Sequence, residues 1–217
     1  MKTLIIDNYD SFTYNLVEMI RQCGVKDMDV VRNDQITVSE VEAYDRIVIS
    51  PGPGVPSDAG IINEVIGKLA PRKKILGICL GMQAMGEVFG SDLTNLDEVF
   101  HGKATMMERL DQKELLFKGM PQKMKVGRYH SWGIMADDVS DSFKLLAKDD
   151  NNIAMAIRHK SYDLVGLQFH PESVLTDNGR QIMSNWLESY QSFSSLVLPT
   201  ANSAAYDLNR IERTLFL

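Results

Sequence analysis

The chain carries two cysteines, Cys23 and Cys79, and four histidines, His101, His130, His159 and His170. Cys79 lies in the run Lys73-Lys74-Ile75-Leu76-Gly77-Ile78-Cys79-Leu80-Gly81-Met82-Gln83, where an apolar strand pattern passes straight into a helical one. Glycines two positions either side of a nucleophile permit the sharp turn that lifts its side chain off the end of a sheet. The thiol would then face the N-terminus of the next helix, whose dipole favours the thiolate. A small apolar residue buried at a strand end accounts for Cys79 equally well. The segment alone leaves both readings open. Cys23, on the apolar side of a helix and without such a context, reads as core filling.

A thiolate nucleophile needs a base, and the base needs an orienter. His170 follows an apolar strand and opens Phe169-His170-Pro171-Glu172-Ser173. Residues two apart in extended backbone point to the same side, so Glu172 could fix the tautomer and orientation of His170. An isolated His-X-Glu reads as a solvated surface turn. Set beside a cysteine elbow at the C-terminal end of a parallel strand, it reads as the rest of a triad, whose members the fold assembles from distant positions.

The third segment is Ser50-Pro51-Gly52-Pro53-Gly54-Val55-Pro56, again just after a strand pattern. Alternating Pro and Gly fix some dihedrals and free others, so that backbone N–H groups can face a ligand. Such donors could form half of an oxyanion hole, with the Leu80 amide next to the nucleophile as the other half. The bland alternative is a tight strand-to-helix connection. A dinucleotide fingerprint is excluded, because Ser57 stands where the third glycine is required.

The elements that must hold these residues follow from patterning. The 217 residues are 44% hydrophobic and 24% charged, which is ordinary globular usage and excludes disorder of the whole chain. Lys and Arg number 23 against 29 Asp and Glu, a net charge of −6. That acidic balance argues against non-specific nucleic-acid binding. Two cysteines cannot make a disulfide framework or a four-cysteine zinc site. The apolar stretch at the N-terminus is too short for a signal peptide, and no apolar run approaches the ~20 residues that span a bilayer. A reduced, cytoplasmic protein without membrane contact is expected. Thr3–Ile6, Asp29–Val31, Arg46–Ile49 and Lys74–Ile78 read as strands, alternating with helices at Phe12–Cys23, Ala59–Leu69 and Leu80–Phe89. Such alternation implies βαβ units and a parallel sheet covered by helices. The second half, with Phe143–Ala147, Ile153–Arg158 and Leu164–Phe169, reads as antiparallel hairpin material, followed by a helix from Asn178 to about Tyr190. Beyond Ser192 a short helix using Leu208, Ile211 and Leu215 would present one apolar face.

Taken together and in this order, the motifs resemble those of the class I (triad) glutamine amidotransferases. The likeness extends to Asp7-Asn8-Tyr9-Asp10-Ser11-Phe12-Thr13-Tyr14-Asn15, Arg32-Asn33-Asp34, His101-Gly102-Lys103, Tyr129-His130-Ser131 and Gln168-Phe169-His170-Pro171-Glu172-Ser173. These are typical of the branch that supplies the small subunit, component II, of anthranilate synthase and aminodeoxychorismate synthase. The resemblance implies an amidotransferase domain over residues 1–190 and an extension over 191–217. The implied fold is a three-layer α/β one, with a mostly parallel central sheet flanked by helices and additional antiparallel strands in the C-terminal half.

By the same resemblance Cys79 is the nucleophile, His170 the general base and acid, and Glu172 its orienter. Gly52 and Leu80 give the oxyanion amides, while Gln83 and the backbone around Ser131 and Trp132 contact L-glutamine. Asp7–Thr13 and His101–Lys103 lie towards a chorismate-binding synthase large subunit; they belong to that interface rather than to the chemistry. Ammonia released here would be used there, in tryptophan or folate synthesis, two pathways that the sequence does not separate. No cofactor is expected in this chain, Mg²⁺ being bound in the partner. Two positions depart from the family pattern: Met82 replaces a usual His, and Trp132 replaces a usual aliphatic residue. The competing functions are a stand-alone cysteine hydrolase of γ-glutamyl compounds and a non-catalytic binding subunit.

Overall fold

A computed structural model describes residues 1–189. The helix expected around Leu208, Ile211 and Leu215, and the boundary expected at 190, lie outside the described residues.

The first half alternates strand and helix: β1 (Thr3–Asp7), α1 (Thr13–Gln22), β2 (Met28–Arg32), α2 (Val38–Val41), β3 (Arg46–Ile49), α3 (Ile62–Leu69), β4 (Lys74–Ile78) and α4 (Leu80–Val88). The second half is strand-rich: β5 (Thr94–Asn95), β6 (Lys103–Arg109), β7 (Lys123–Arg128), β8 (Trp132–Gly133), β9 (Phe143–Asp149), β10 (Ala154–His159) and β11 (Leu164–Leu167), closed by α5 (Gly179–Glu188). Nine strands form one sheet in the order β2-β1-β3-β4-β11-β10-β9-β6-β7, and β5 with β8 form a small second sheet. The run from β2 to β11 is parallel, and the pairings from β11 to β7 are antiparallel. No helix among the described residues is long and apolar enough to cross a membrane.

The inner strands read as apolar runs because both faces of a parallel sheet are covered. Alternate residues point to opposite sides. Ile5, Val48 and Leu76 face Leu16, Ile20 and Trp186 of α1 and α5. Leu4, Ile6, Ile47, Ile49 and Ile75 face Ile62, Val65, Ile66 and Leu69 of α3, together with Met82 and Met85 of α4. Three layers result. Cys23 caps α1 and packs on the first of these cores, its thiol 3.7 Å from the Arg180 carbonyl.

The structure revises the expected elements in several places. β11 does form an antiparallel pair with β10, but its other edge pairs in parallel with β4, Leu167 standing opposite Ile78. The hairpin expectation therefore captured only one of its two neighbours. The strand also stops at Leu167 rather than Phe169. α3 begins at Ile62 instead of Ala59, because Gly60 takes φ +59° and lies against Asn33, where an added Cβ would sit 2.7 Å from the carbonyl oxygen. The β6–β7 hairpin and α2 were not expected. α2 carries a capping box, the Glu40 N–H donating to Thr37 Oγ1 and the Thr37 N–H to Glu40 Oε2.

His159, at the end of β10, is buried and stacks on Tyr162 with ring centroids 4.4 Å apart, while the Phe89 ring lies 4.6 Å away. Its Nδ1 accepts the N–H groups of Ser161 and Tyr162 at 3.1 and 3.0 Å. Burial pushes its pKa down to about 4. The unfolded chain takes up this proton near pH 6.5, whereas the folded chain does so only near 4. Stability present at neutral pH is therefore lost as the pH falls through that window. We expect His159→Phe to lose less stability between pH 7 and pH 5 than the wild type, by up to about 1.4 kcal/mol per pH unit. Urea unfolding at the two pH values measures this, and equal losses in both proteins would remove His159 as the cause.

Candidate active site

Cys79 occupies the single residue between β4 and α4, with φ 52° and ψ −102°. Positive φ is unfavourable for a side chain with a Cβ and persists only where the surroundings enforce it. The flanking glycines are part of that enforcement. A Cβ on Gly77 would lie 2.5 Å from the Gly81 carbonyl, and one on Gly81 would lie 2.8 Å from the Ile49 oxygen. The chain can turn this tightly only with hydrogen at both positions. The Cys79 carbonyl accepts the Gln83 N–H at 3.1 Å, the first bond of α4, so the sulfur stands at that helix's N-terminus.

The Cys79 N–H donates to the Leu167 carbonyl at 2.7 Å, carrying the β4–β11 ladder one residue past the strand. Three residues beyond Leu167 comes His170, almost fully buried, its backbone N–H held by the Gly127 carbonyl at 3.0 Å. Its Nδ1 lies 2.7 Å from Glu172 Oε1. Nε2 makes no hydrogen bond to a protein atom and is the ring atom left for the sulfur. Burial, the largest single effect, lowers the His170 pKa. The neighbouring Cys79 sulfur and the Glu172 carboxylate outweigh it and raise the pKa to about 10. The ring is enclosed by Tyr129 and Phe12, with centroids at 4.8 and 5.8 Å, both edge-on. A thiol, an imidazole and a carboxylate in series suit nucleophilic attack on an acyl carbon.

Gly52 sits above the elbow. A Cβ there would meet Asn8 Cβ at 2.6 Å and Leu80 Cδ2 at 2.8 Å. The loop is tied down by Ser50, whose Oγ accepts the Asn8 N–H at 2.9 Å and whose carbonyl accepts from Asn8 Nδ2 at 2.8 Å. Gly52 and Leu80 are thus brought together beside Cys79. Gln83, one turn along α4, donates through Nε2 to the Trp132 carbonyl at 2.8 Å and reaches Gln168 Oε1 at 3.3 Å. Ser131 accepts the Leu96 N–H, and Trp132 pairs with Asn95 across the small sheet. All eight residues singled out by the sequence therefore belong to one region at the C-terminal ends of β4 and β11.

Some features escaped the sequence reading. Gln168, fully buried, donates through Nε2 to Cys79 Sγ at 3.6 Å. Its signal was its place two residues before His170 on the same extended segment. The Asp7–Thr13 loop was set apart from the chemistry, yet its Phe12 packs on His170 and, at 4.9 Å, on Tyr129. Asp7 Oδ1 holds that loop by accepting the Tyr9 N–H at 3.0 Å and the Thr13 hydroxyl at 2.8 Å. His101 is exposed and reaches the site region only through an edge contact with Tyr129 at 6.4 Å. Met82 is fully buried, close against Gly166 of β11, and belongs to the core. Among the described residues no group of three or more His, Cys, Asp or Glu side chains is placed to hold a metal ion.

Residues 4–189 match the model of the family described as glutamine amidotransferase class-I. Over 195 residues the chain is 39% identical to anthranilate synthase component 2 of Pseudomonas putida, covering 87% of this chain and 97% of that protein. It is 42% identical over 186 residues to aminodeoxychorismate synthase component 2 of Escherichia coli, covering 85% and 98%. It spans 24% of the length of a multifunctional tryptophan biosynthesis protein from Phycomyces blakesleeanus, to which it is 44% identical over 190 residues. Among solved structures, a protein described as a GMP synthase component from Thermoplasma acidophilum superposes with a TM-score of 0.77 at 28% identity, over 86% of this chain and 92% of that one. The chain belongs to the class-I glutamine amidotransferases, as the elbow and the order of its motifs led one to expect.

Proposed function

We propose that this chain is the glutaminase subunit of a chorismate-aminating synthase, hydrolysing L-glutamine through Cys79, His170 and Glu172 and passing ammonia to a separate large subunit. The observation that carries this reading is the meeting of a strained cysteine elbow with a buried, carboxylate-bound imidazole at the ends of two paired parallel strands. The relatives named as second components of anthranilate and aminodeoxychorismate synthases supply the reaction's setting.

In this reading the proton rests on His170 and the thiolate of Cys79 attacks the side-chain carboxamide carbon of glutamine. The tetrahedral oxyanion is held by the Gly52 and Leu80 amides. His170 gives its proton to the departing nitrogen, ammonia leaves, and a γ-glutamyl thioester remains on Cys79. Water, deprotonated by His170, then attacks the thioester, and glutamate leaves as the thiolate re-forms. Gln83 and the backbone at Ser131 and Trp132 hold the substrate.

This chain needs no cofactor of its own. Mg²⁺ belongs with chorismate in the partner, and the pair works in the cytoplasm. Tyr9, Tyr14, Val99 and Val174 are large apolar side chains left exposed in or beside the site's own loops, which supports a docked partner there. The pathway served is tryptophan synthesis, folate synthesis or both, depending on which large subunit is bound.

Two outcomes are expected with the reconstituted pair. Cys79→Ser reduces glutamine-dependent product to background, a loss on the order of a millionfold for nucleophile removal in a triad. Synthesis from added ammonium salts stays at the wild-type rate. Parallel loss of both activities would defeat the division of labour. Glu172→Gln is milder, by roughly a hundredfold relative to nucleophile loss. Because Glu172 helps to raise the His170 pKa, its removal moves the alkaline limb of the kcat/KM profile to lower pH. An unmoved limb would take Glu172 out of the proton chemistry.

A further inference from the structure

A buried polar chain outside the triad runs from β7 into the site. Arg128, the last residue of β7, has no exposed surface, and its Nη1 donates to Asp149 Oδ2 at 2.6 Å. Its guanidinium stacks on Phe100, 3.5 Å from the ring centroid, and its Nε donates to His130 Nε2 at 3.0 Å. A guanidinium can only donate. His130 Nε2 must therefore accept, which leaves the ring's one proton on Nδ1. That atom lies 2.7 Å from the Trp132 carbonyl. The same carbonyl accepts from Gln83 Nε2 at 2.8 Å, so both of its lone pairs are engaged by side chains. From Gln83 the chain continues through Gln168 to the Cys79 sulfur.

We infer that Arg128 and His130 are positioning residues for the glutamine-binding backbone: Arg128 selects the His130 tautomer, and His130 with Gln83 fixes the Trp132 carbonyl and thereby the Ser131–Trp132 segment. This rests on the reading that the segment contacts glutamine. A protonated His130 would place an N–H against the Arg128 cation. Burial, and next the Arg128 charge, push the His130 pKa down to about 3, which favours the neutral ring, and the Arg128 Nε donor then sets its tautomer. Two buried, desolvated groups spent on one carbonyl are a poor means of stabilising a fold, where apolar packing serves as well or better. They are an effective means of orienting a group that touches a ligand, as carboxylates orient the histidines of metal sites.

The test uses the full chain assembled with its synthase partner. It measures glutaminase kcat and KM together with the rate at which chloroacetamide alkylates Cys79, a reaction that does not require bound glutamine. His130→Leu is expected to raise KM for glutamine roughly tenfold to a hundredfold, the scale of one unsatisfied buried partner. In that variant kcat stays within about threefold and the alkylation rate is unchanged. His130→Asn keeps a donor at the Nδ1 level and restores most of the affinity. His130→Gln keeps only the contact with Arg128 and does not. Should the Leu variant fail to fold, the Asn and Gln pair carries the comparison alone. A fall in kcat with KM unchanged, or equal KM values for Asn and Gln, would overturn the inference. Wild-type protein that releases no glutamate would instead overturn the functional reading beneath it.

Discussion

The parallel ladder between β4 and β11 is the constraint from which the site's geometry descends. Leu167 stands opposite Ile78, and the next backbone bond joins the Cys79 N–H to the Leu167 carbonyl. A slip of one residue would reverse which face each side chain meets, turning Gln168 and His170 away from the sulfur. Gly166 makes the pairing possible at this depth. A Cβ there would lie 2.7 Å from Met82 Cγ, so α4 can press onto the seam only where β11 has no side chain. Core packing and the Cys79–His170 grouping are thus positioned by the same few backbone atoms.

Around that ladder the protein spends stability to hold unfavourable states. Cys79 keeps a positive φ, His170 is almost wholly buried with its pKa raised, and Arg128 is wholly withdrawn from water. Each is offset by a fixed partner: the glycine-lined turn for Cys79, Glu172 for His170, and Asp149 for Arg128. Asp149 is itself satisfied by the N–H groups of Asn151 and Ile153, at 3.0 and 2.8 Å. A charge taken from water is tolerable when a fixed opposite charge stands beside it, as here, although Arg128 Nη2 is left without a hydrogen-bond partner.

Local chemistry made part of this legible in the sequence. The Gly77-Ile78-Cys79-Leu80-Gly81 spacing encodes a steric demand between neighbours, and His170 with Glu172 encodes a contact across two residues. Alternating apolar runs and helical periodicity were enough for β1 to β4 and for α1, α3 and α4, though not for where α3 starts. What could not be read was set by distant partners. No pattern within Leu164–Leu167 reveals that its second neighbour is a strand some ninety residues earlier. β6 and β7 were missed because Lys, Arg and Met dominate them, and only the buried alternation of Met124, Val126 and Arg128 marks an inward face. Arg128 reads as a surface charge until the fold delivers Asp149. α2 offered too few residues for periodicity, although Thr37 and Glu40 carried its start signal.

Phe12 and Tyr129 reach the imidazole of His170 from two different loops and meet it edge-on. With Glu172 on Nδ1, they leave the ring little freedom to swivel about its own axis. The imidazole is thereby set in one attitude when the chain folds, before any ligand arrives. In the proposed mechanism each turnover would then begin without the reorganisation that a freely turning histidine in water requires.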